Sequence, residues 1–245
     1  LPISDDVTAS IEQVGNDNYG YISTFDSDGG SLSIVTVGND NSAEIVVDSS
    51  FFTTATITQD GNENLASIDQ WVFSDNASAS ISQIGNGNVA IIDQFDAADS
   101  SASISQDGGD NEATVLQSNV ANTSDISQTG DFNIALTDQT GDSNTASIEQ
   151  HGAFNDAYIG QSGNNNVASI YQSGAYNDAD IIQSGDWNIA SIEQIGAFNV
   201  ASIDQSGMGN ANNPNTATIS QIGTGHTASI TQMGGPGNTA TITQY

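Results

Sequence analysis

One five-residue pattern, Ala-x-Ile-x-Gln, recurs along nearly the whole chain and restricts what it can fold into. Its glutamines are Gln13, Gln59, Gln70, Gln83, Gln94, Gln106, Gln117, Gln128, Gln139, Gln150, Gln161, Gln172, Gln183, Gln194, Gln205, Gln221, Gln232 and Gln244, and no glutamine lies outside the pattern. From Gln117 to Gln205 every step is 11 residues. Three more segments keep the pattern with another residue in the last place: Ile22 before Thr24, Ile34 before Thr36, and Ile45 before Val47. Of these 21 copies, 19 have Ile two places before the Gln position and 18 have Ala four places before it, so three alternate positions are held while those between them vary. Residues two apart share one face of a strand, so Ala, Ile and Gln point one way and Ser, Thr, Asp and Glu the other. A helix would swing Ile148 away from Ala146 and Gln150, and Ile favours strands.

The segments between strands alternate in kind. In the first kind all ten carry a glycine two places after the Gln position: Gly15, Gly38, Gly61, Gly85, Gly108, Gly130, Gly152, Gly174, Gly196 and Gly223. Nine of the ten carry an asparagine five places after it, namely Asn18, Asn41, Asn64, Asn88, Asn111, Asn133, Asn155, Asn177 and Asn199; the tenth has His226. Both residue types tolerate the positive φ that a tight arc needs. The other connections vary from 11 to 16 residues and often lack the glycine, as between Trp71 and Ala77. The repeating unit is therefore strand, tight arc, strand, looser arc. Residues 1–6 form a short lead-in, and residues 7–245 make about ten and a half such units.

One pair of strands cannot bury its inner face alone, but a stack of pairs can. The expected fold is all-β: a parallel two-sheet β-solenoid of strand–arc–strand rungs, about 50 Å long at 4.8 Å per rung, becoming a cross-β fibre if polymerised. The core isoleucines include Ile11, Ile22, Ile57, Ile81, Ile104, Ile148, Ile170, Ile192, Ile219 and Ile242. An unpaired buried amide costs roughly 1–3 kcal/mol. Glutamines stacked in register remove that cost, because each donates to one neighbouring rung and accepts from the other. The arc asparagines are expected to stack likewise.

Charge excludes several functions. The chain has 30 Asp and Glu and no Lys or Arg, for a formal net charge of -30. Without a cationic side chain it cannot neutralise phosphates, which argues against nucleic-acid binding, phosphate clamps and a polybasic membrane patch. No cysteine is present, so disulfides and thiolate metal sites are absent. No apolar run reaches 18 residues, so membrane insertion by a helix is not expected. A chain opening on Leu1 without a basic and apolar leader is what a processed, secreted protein would present.

The string Q-x-G-x-x-N-x-A-x-x-x-Q, read at Gln150, Gly152, Asn155, Ala157 and Gln161 and again at Gln194, Gly196, Asn199, Ala201 and Gln205, resembles the repeat of the curlins. These are the subunits of bacterial curli amyloid fibres, and the likeness runs from about Val7 to Tyr245. The resemblance implies an extracellular fibre subunit of the biofilm matrix serving adhesion and cell aggregation. It also implies export through an outer-membrane channel, nucleation by a minor curlin, and inward Gln and Asn that carry nucleation and elongation. The chain departs from familiar members in having more repeats and no basic side chain, and its second repeat, around Thr36 and Val47, is degenerate.

Nothing in the pattern suggests catalysis. His151 and His226 both fall in arcs, where a solenoid offers no cleft for a nucleophile and an orienting acid. Asp60-Gly-Asn62-Glu-Asn64 is rich in oxygen but lacks the sixth-position glycine and terminal glutamate of a calcium loop, so neither a metal site nor a cofactor is expected. The arc aromatics Phe132, Phe154, Tyr176, Trp187 and Phe198 are expected to pack in the arcs or bundle fibres laterally. With a six-residue lead-in and Tyr245 directly after the last strand, neither end is expected to be capped, so the partner is a second copy of the chain, head to tail. The alternative is a monomeric capped solenoid with an adhesin role, or an ice-binding one on Thr-x-Thr rows such as Thr56/Thr58 and Thr241/Thr243.

Overall fold

The computed structural model describes residues 6–245; the first five residues of the expected lead-in lie outside it. Among the described residues twenty-one strands follow one another. The first seven are β1 (Val7–Asn16), β2 (Tyr19–Phe25), β3 (Gly30–Asn39), β4 (Ser42–Asp48), β5 (Thr54–Asn62), β6 (Leu65–Trp71) and β7 (Ser78–Asn86). The next seven are β8 (Val89–Phe95), β9 (Ser101–Gly109), β10 (Glu112–Ser118), β11 (Thr123–Asp131), β12 (Ile134–Thr140), β13 (Thr145–Ala153) and β14 (Asp156–Ser162). The last seven are β15 (Val167–Ala175), β16 (Asp178–Ser184), β17 (Asn188–Ala197), β18 (Val200–Gln205), β19 (Asn215–Thr224), β20 (Thr227–Gln232) and β21 (Thr239–Gln244). Odd strands form one 11-stranded sheet and even strands one 10-stranded sheet, each in sequence order. Every pairing between these strands is parallel, and the molecule is a two-sheet β-solenoid.

Register follows the pattern. Ala146, Ala168 and Ala190 stack in one column, Ile148, Ile170 and Ile192 in the next, and Gln150, Gln172 and Gln194 in the third. Interior Ala and Ile are buried between the sheets. Two positions break the pattern in adjacent strands, Ser124 for Ala and Thr137 for Ile, and they answer each other. Their hydroxyls meet across the core at 2.6 Å, so neither is left as a buried orphan.

Ile11, Ile22 and Ile242 depart from the expectation of a buried core. Ile11 is 45% exposed, and Ile22 and Ile242 are only partly buried. All three sit in terminal rungs, which have a neighbour on one side only. The arcs bring a second correction. Arc glycines do take positive φ, as Gly152 does at 114°, but the asparagine three places on does not. The residue just before that asparagine does: Asp17, Asp40, Glu63, Asp110, Phe132, Phe154, Tyr176 and Phe198 all have φ between 48° and 60°. The asparagine is needed for its amide, not its backbone freedom.

Candidate functional site

The glutamines form two continuous ladders. In the odd sheet each of Gln59, Gln83, Gln106, Gln128, Gln150, Gln172, Gln194 and Gln221 donates from Nε2 to Oε1 of the next, ending on Gln244. In the even sheet Gln70, Gln94, Gln117, Gln139, Gln161, Gln183 and Gln205 do the same, ending on Gln232. The second N–H of each amide crosses the core. Gln150 of β13 donates at 2.8 Å to the carbonyl of Ile134, the first residue of β12, and Gln161 of β14 donates at 3.0 Å to Thr145, the first residue of β13. Interior glutamines are thereby fully buried without an unpaired N–H.

Gln13 stands apart, exposed in the first rung, because Thr36 interrupts the column between it and Gln59. Val47 likewise precedes Gln70. Thr36 Oγ1, Gln59 Oε1 and Gln70 Oε1 are buried atoms without a hydrogen-bond partner. Both ladders thus begin on an orphaned acceptor. Thr36→Gln supplies Gln59 with a donor, and its expected effect is a stabilisation of about 1–3 kcal/mol, one satisfied buried acceptor. Urea denaturation followed by hydrogen exchange of β3 and β5 reads this out; unchanged protection there would refute it.

The arc asparagines form a third ladder of opposite polarity. Asn41 Nδ2 donates back to Asn18 Oδ1, and the same backward step continues through Asn64, Asn88, Asn111, Asn133, Asn155 and Asn177 to Asn199. The other N–H reaches forward to a glycine carbonyl of the following rung, as from Asn155 to Gly174 at 3.1 Å. Each asparagine therefore binds the rung before and the rung after it. His226 ends the column, its backbone N–H donating to Asn199 Oδ1.

The opposite edge carries a fourth ladder that the alternation of arcs concealed. Asn144, Asn166, Asn188 and Asn215 stack there, with backbone or side-chain donors onto the Oδ1 of Asn122, Asn144, Asn166 and Asn188 in turn. Nearer the N-terminus the same place, just before each odd strand, is held by Thr53, Ala77 and Ser100, of which Ser100 Oγ accepts from the Asn122 N–H. A separate serine row earlier in those arcs, Ser27, Ser50 and Ser74, accepts in turn from the backbone N–H groups of Ser50, Ser74 and Ala97. The signal was available, since Asn122, Asn144, Asn166 and Asn188 stand five places after Gln117, Gln139, Gln161 and Gln183.

Of the arc aromatics, Phe132, Phe154, Tyr176 and Phe198 make one column, their rings 4.9–5.0 Å apart and within 5° of parallel. Trp187 is not among them; it lies in the arcs of the other edge, between β16 and β17. The solvent faces carry the charge. Asp156 and Asp178 are register partners, and burial first and Asp178 second raise the Asp156 carboxyl above its ordinary 3.8. Burial, then Asp178 and Asp156, raise Asp180; burial, then Asp93 and Glu44, raise Asp69; burial alone raises Asp138. A carboxyl whose folded value exceeds its unfolded value binds protons more readily in the fold, so stability increases as pH falls through the raised values and the gain is complete below 3.8. The urea midpoint is therefore expected to rise between pH 7 and pH 4, and Asp156→Asn with Asp180→Asn to flatten that rise. A midpoint that falls on acidification would contradict the assignment.

His151 Nε2 lies 2.6 Å from Glu149 Oε1 on the open outer face, and no cleft gathers further groups around them. Among the described residues no group of three or more His, Asp or Glu is placed to hold a metal, and no helix is long and apolar enough to cross a membrane.

Two glutamine ladders and one asparagine ladder along most of the two parallel sheets, with a second asparagine ladder from Asn122 to Asn215, define a structural repeat protein of the β-solenoid class, whose repeated geometry serves rung-to-rung contact. Seven copies of the curlin associated repeat match the chain, at residues 54–85, 74–108, 97–130, 121–152, 141–174, 174–207 and 213–245. The chain belongs to the curlin repeat family, and its fold and repeats fit a curli-type structural subunit. Comparison with curated proteins gives no match.

Proposed function

We propose that the protein is a structural subunit that self-assembles head to tail into extracellular, curli-like amyloid fibres of a biofilm matrix, serving adhesion and cell aggregation without catalysis. The observation that carries this reading is the condition of the terminal rungs. Ile11 is 45% exposed, whereas Ile57 to Ile219 in the same sheet are at most 2% exposed. The N–H and C=O groups on the outer side of β1 and β21 face no strand among the described residues. A second copy satisfies them with the geometry that joins rungs internally, and a heterologous contact that does not close makes a filament. A minor curlin as nucleator and an outer-membrane export channel are partners that family membership supports.

Charge opposes assembly, since 30 carboxylates have no cationic side chain to offset them. Screening at physiological salt acts over about 8 Å, so growth is expected to be faster with salt than in its absence. The test is electron microscopy of purified protein held at neutral pH and physiological salt without seed. Unbranched fibres a few nanometres wide are the expected result. Persistent single particles about one rung stack in length would overturn it and favour a monomeric adhesin or ice-binding solenoid.

A further inference from the structure

On the reading of the protein as a head-to-tail polymer, we infer that successive copies of the 245-residue chain are related by a half-turn about the fibre axis, so that the odd-strand sheet of one copy continues as the even-strand sheet of the next. The terminal strands supply the first reason. β1 and β21 both belong to the odd sheet, which has 11 strands against 10 in the even sheet. If a second copy stacks without rotation, its β1 pairs with β21, but its β2 stands two levels above β20. One level of the even sheet, about 4.8 Å high, is then empty. The backbone of β20 and of the incoming β2 stays unpaired across that slot. After a half-turn the incoming β1 lies on β20 and the incoming β2 on β21, and no level is missing.

The half-turn is already the internal symmetry of the molecule. Every glutamine from Gln59 onward but Gln205 uses its second N–H in one way, on the first or second residue of the preceding strand, whichever sheet it belongs to. Gln83 of β7 reaches Leu65 of β6, Gln94 of β8 reaches Ser78 of β7, and Gln244 of β21 reaches Thr227 of β20. Only Gln205, beside the inserted loop 206–214, reaches forward, to Asn215. The structural unit is thus one strand and one arc, repeated with a half-turn and half a rung of rise, and the 21 such units among the described residues leave the next half-turn due. In the rotated stack the incoming Gln13 accepts from Gln232 and donates to the carbonyl of Thr239, the first residue of β21.

The arcs give an independent reason. At each interior arc glycine the carbonyl of the next arc glycine lies so close that no Cβ fits, as for Gly196 beneath Gly223. The last arc of one edge is closed, because the His226 imidazole occupies that place over Gly223. The last arc of the other edge is open, with nothing within 4 Å above Gly234. An unrotated copy would bring its Gly15 arc to the closed edge. A copy turned by half brings Gly15 to the open edge over Gly234 and Asn18 over Asn238, whose backbone N–H already continues the ladder by donating to Asn215 Oδ1. The stacking contact is therefore a second copy of this chain, seated one half-turn round.

The chain has no cysteine, so Thr129→Cys, on the exposed outer face where β11 meets its arc, gives one thiol for a maleimide-gold label. Cryo-electron microscopy of labelled fibres of the whole chain is expected to show gold alternating between opposite edges with an axial step of about 50 Å, and unlabelled fibres a two-fold screw of the same rise. Fibres with every label on one edge would overturn the half-turn while leaving head-to-tail assembly intact. Failure of both the labelled and the unlabelled chain to form fibres would overturn the polymer itself and this contact with it.

Discussion

Gly152→Ala is expected to break the solenoid in its middle. The added methyl would sit 1.9 Å from the Gly174 carbonyl oxygen, at a φ of 114° that side-chain-bearing residues rarely adopt. The obstacle is backbone, so it cannot turn aside as a flexible side chain could. Moving Gly174 also disturbs the bond its carbonyl accepts from Asn155 at 3.1 Å, and through it the asparagine ladder. Backbone strain and overpacking each cost about 1–3 kcal/mol, and with the weakened hydrogen bond the sum is about 3–6 kcal/mol. Solenoid stability is close to a sum of neighbour contacts, so one bad interface uncouples the stack on either side. Urea unfolding should split into two transitions, and hydrogen exchange should be fastest around β13 and β15. A single transition within experimental error of the parent would refute the close-contact argument.

Gln150→Leu keeps the volume of the side chain but removes its amide from the centre of the ladder. Gln150 accepts from Gln128 at 2.9 Å and donates to Gln172 at 2.9 Å and to Ile134 at 2.8 Å. Leucine leaves an N–H of Gln128, Oε1 of Gln172 and the carbonyl of Ile134 without that partner, in a column with no solvent exposure. At about 1–3 kcal/mol for each of the three stranded groups, a loss on the order of 3–9 kcal/mol is expected. A second variant separates the ladder from simple packing. Extending the change to Gln128→Leu and Gln172→Leu still strands only two ladder groups, Gln106 N–H and Gln194 Oε1, beside the carbonyls of Glu112, Ile134 and Asp156, five groups against three, so the triple variant should cost clearly less than three times the single one. Strict additivity by urea titration would show that the glutamines act independently and that the ladder has no collective role.

The same logic explains why the degenerate second repeat is tolerated. Val47 and Thr36 lie near the N-terminal end of their columns, so each strands only one acceptor of the interior ladder, Gln70 Oε1 and Gln59 Oε1. Placed between Gln128 and Gln172, the same residue would interrupt a ladder on both sides.

Much of this architecture was legible because its period is local. Alternation across Ala146, Ile148 and Gln150 identifies a strand and its buried face, since side chains two apart must share a face. Recurrence of that face 21 times fixes parallel stacking, since no other arrangement buries it. The arc glycines were legible for the same reason. The Asn144–Asn215 ladder was not, because in the first half of the chain Thr53, Ala77 and Ser100 hold its place and hide the shared offset. Phe132, Phe154, Tyr176 and Phe198 were legible as arc residues but not as a ring stack, which requires the rung spacing to set 4.9–5.0 Å between them.

The sequence by itself determined the strand pattern, the inward residues, the in-register columns and the membership in a repeat family, because each follows from side-chain alternation and period. Only the tertiary structure decided which way the ladders run. Glutamines donate forward and asparagines backward because each amide must also satisfy a particular carbonyl, Ile134 for Gln150 and Gly174 for Asn155, and those carbonyls belong to other strands. Only the structure moved the positive φ from Asn155 to Phe154, paired Ser124 with Thr137, and closed one edge with His226 while leaving Gly234 open. Each of these depends on what a residue meets in a neighbouring strand or rung, and that contact has no local signature.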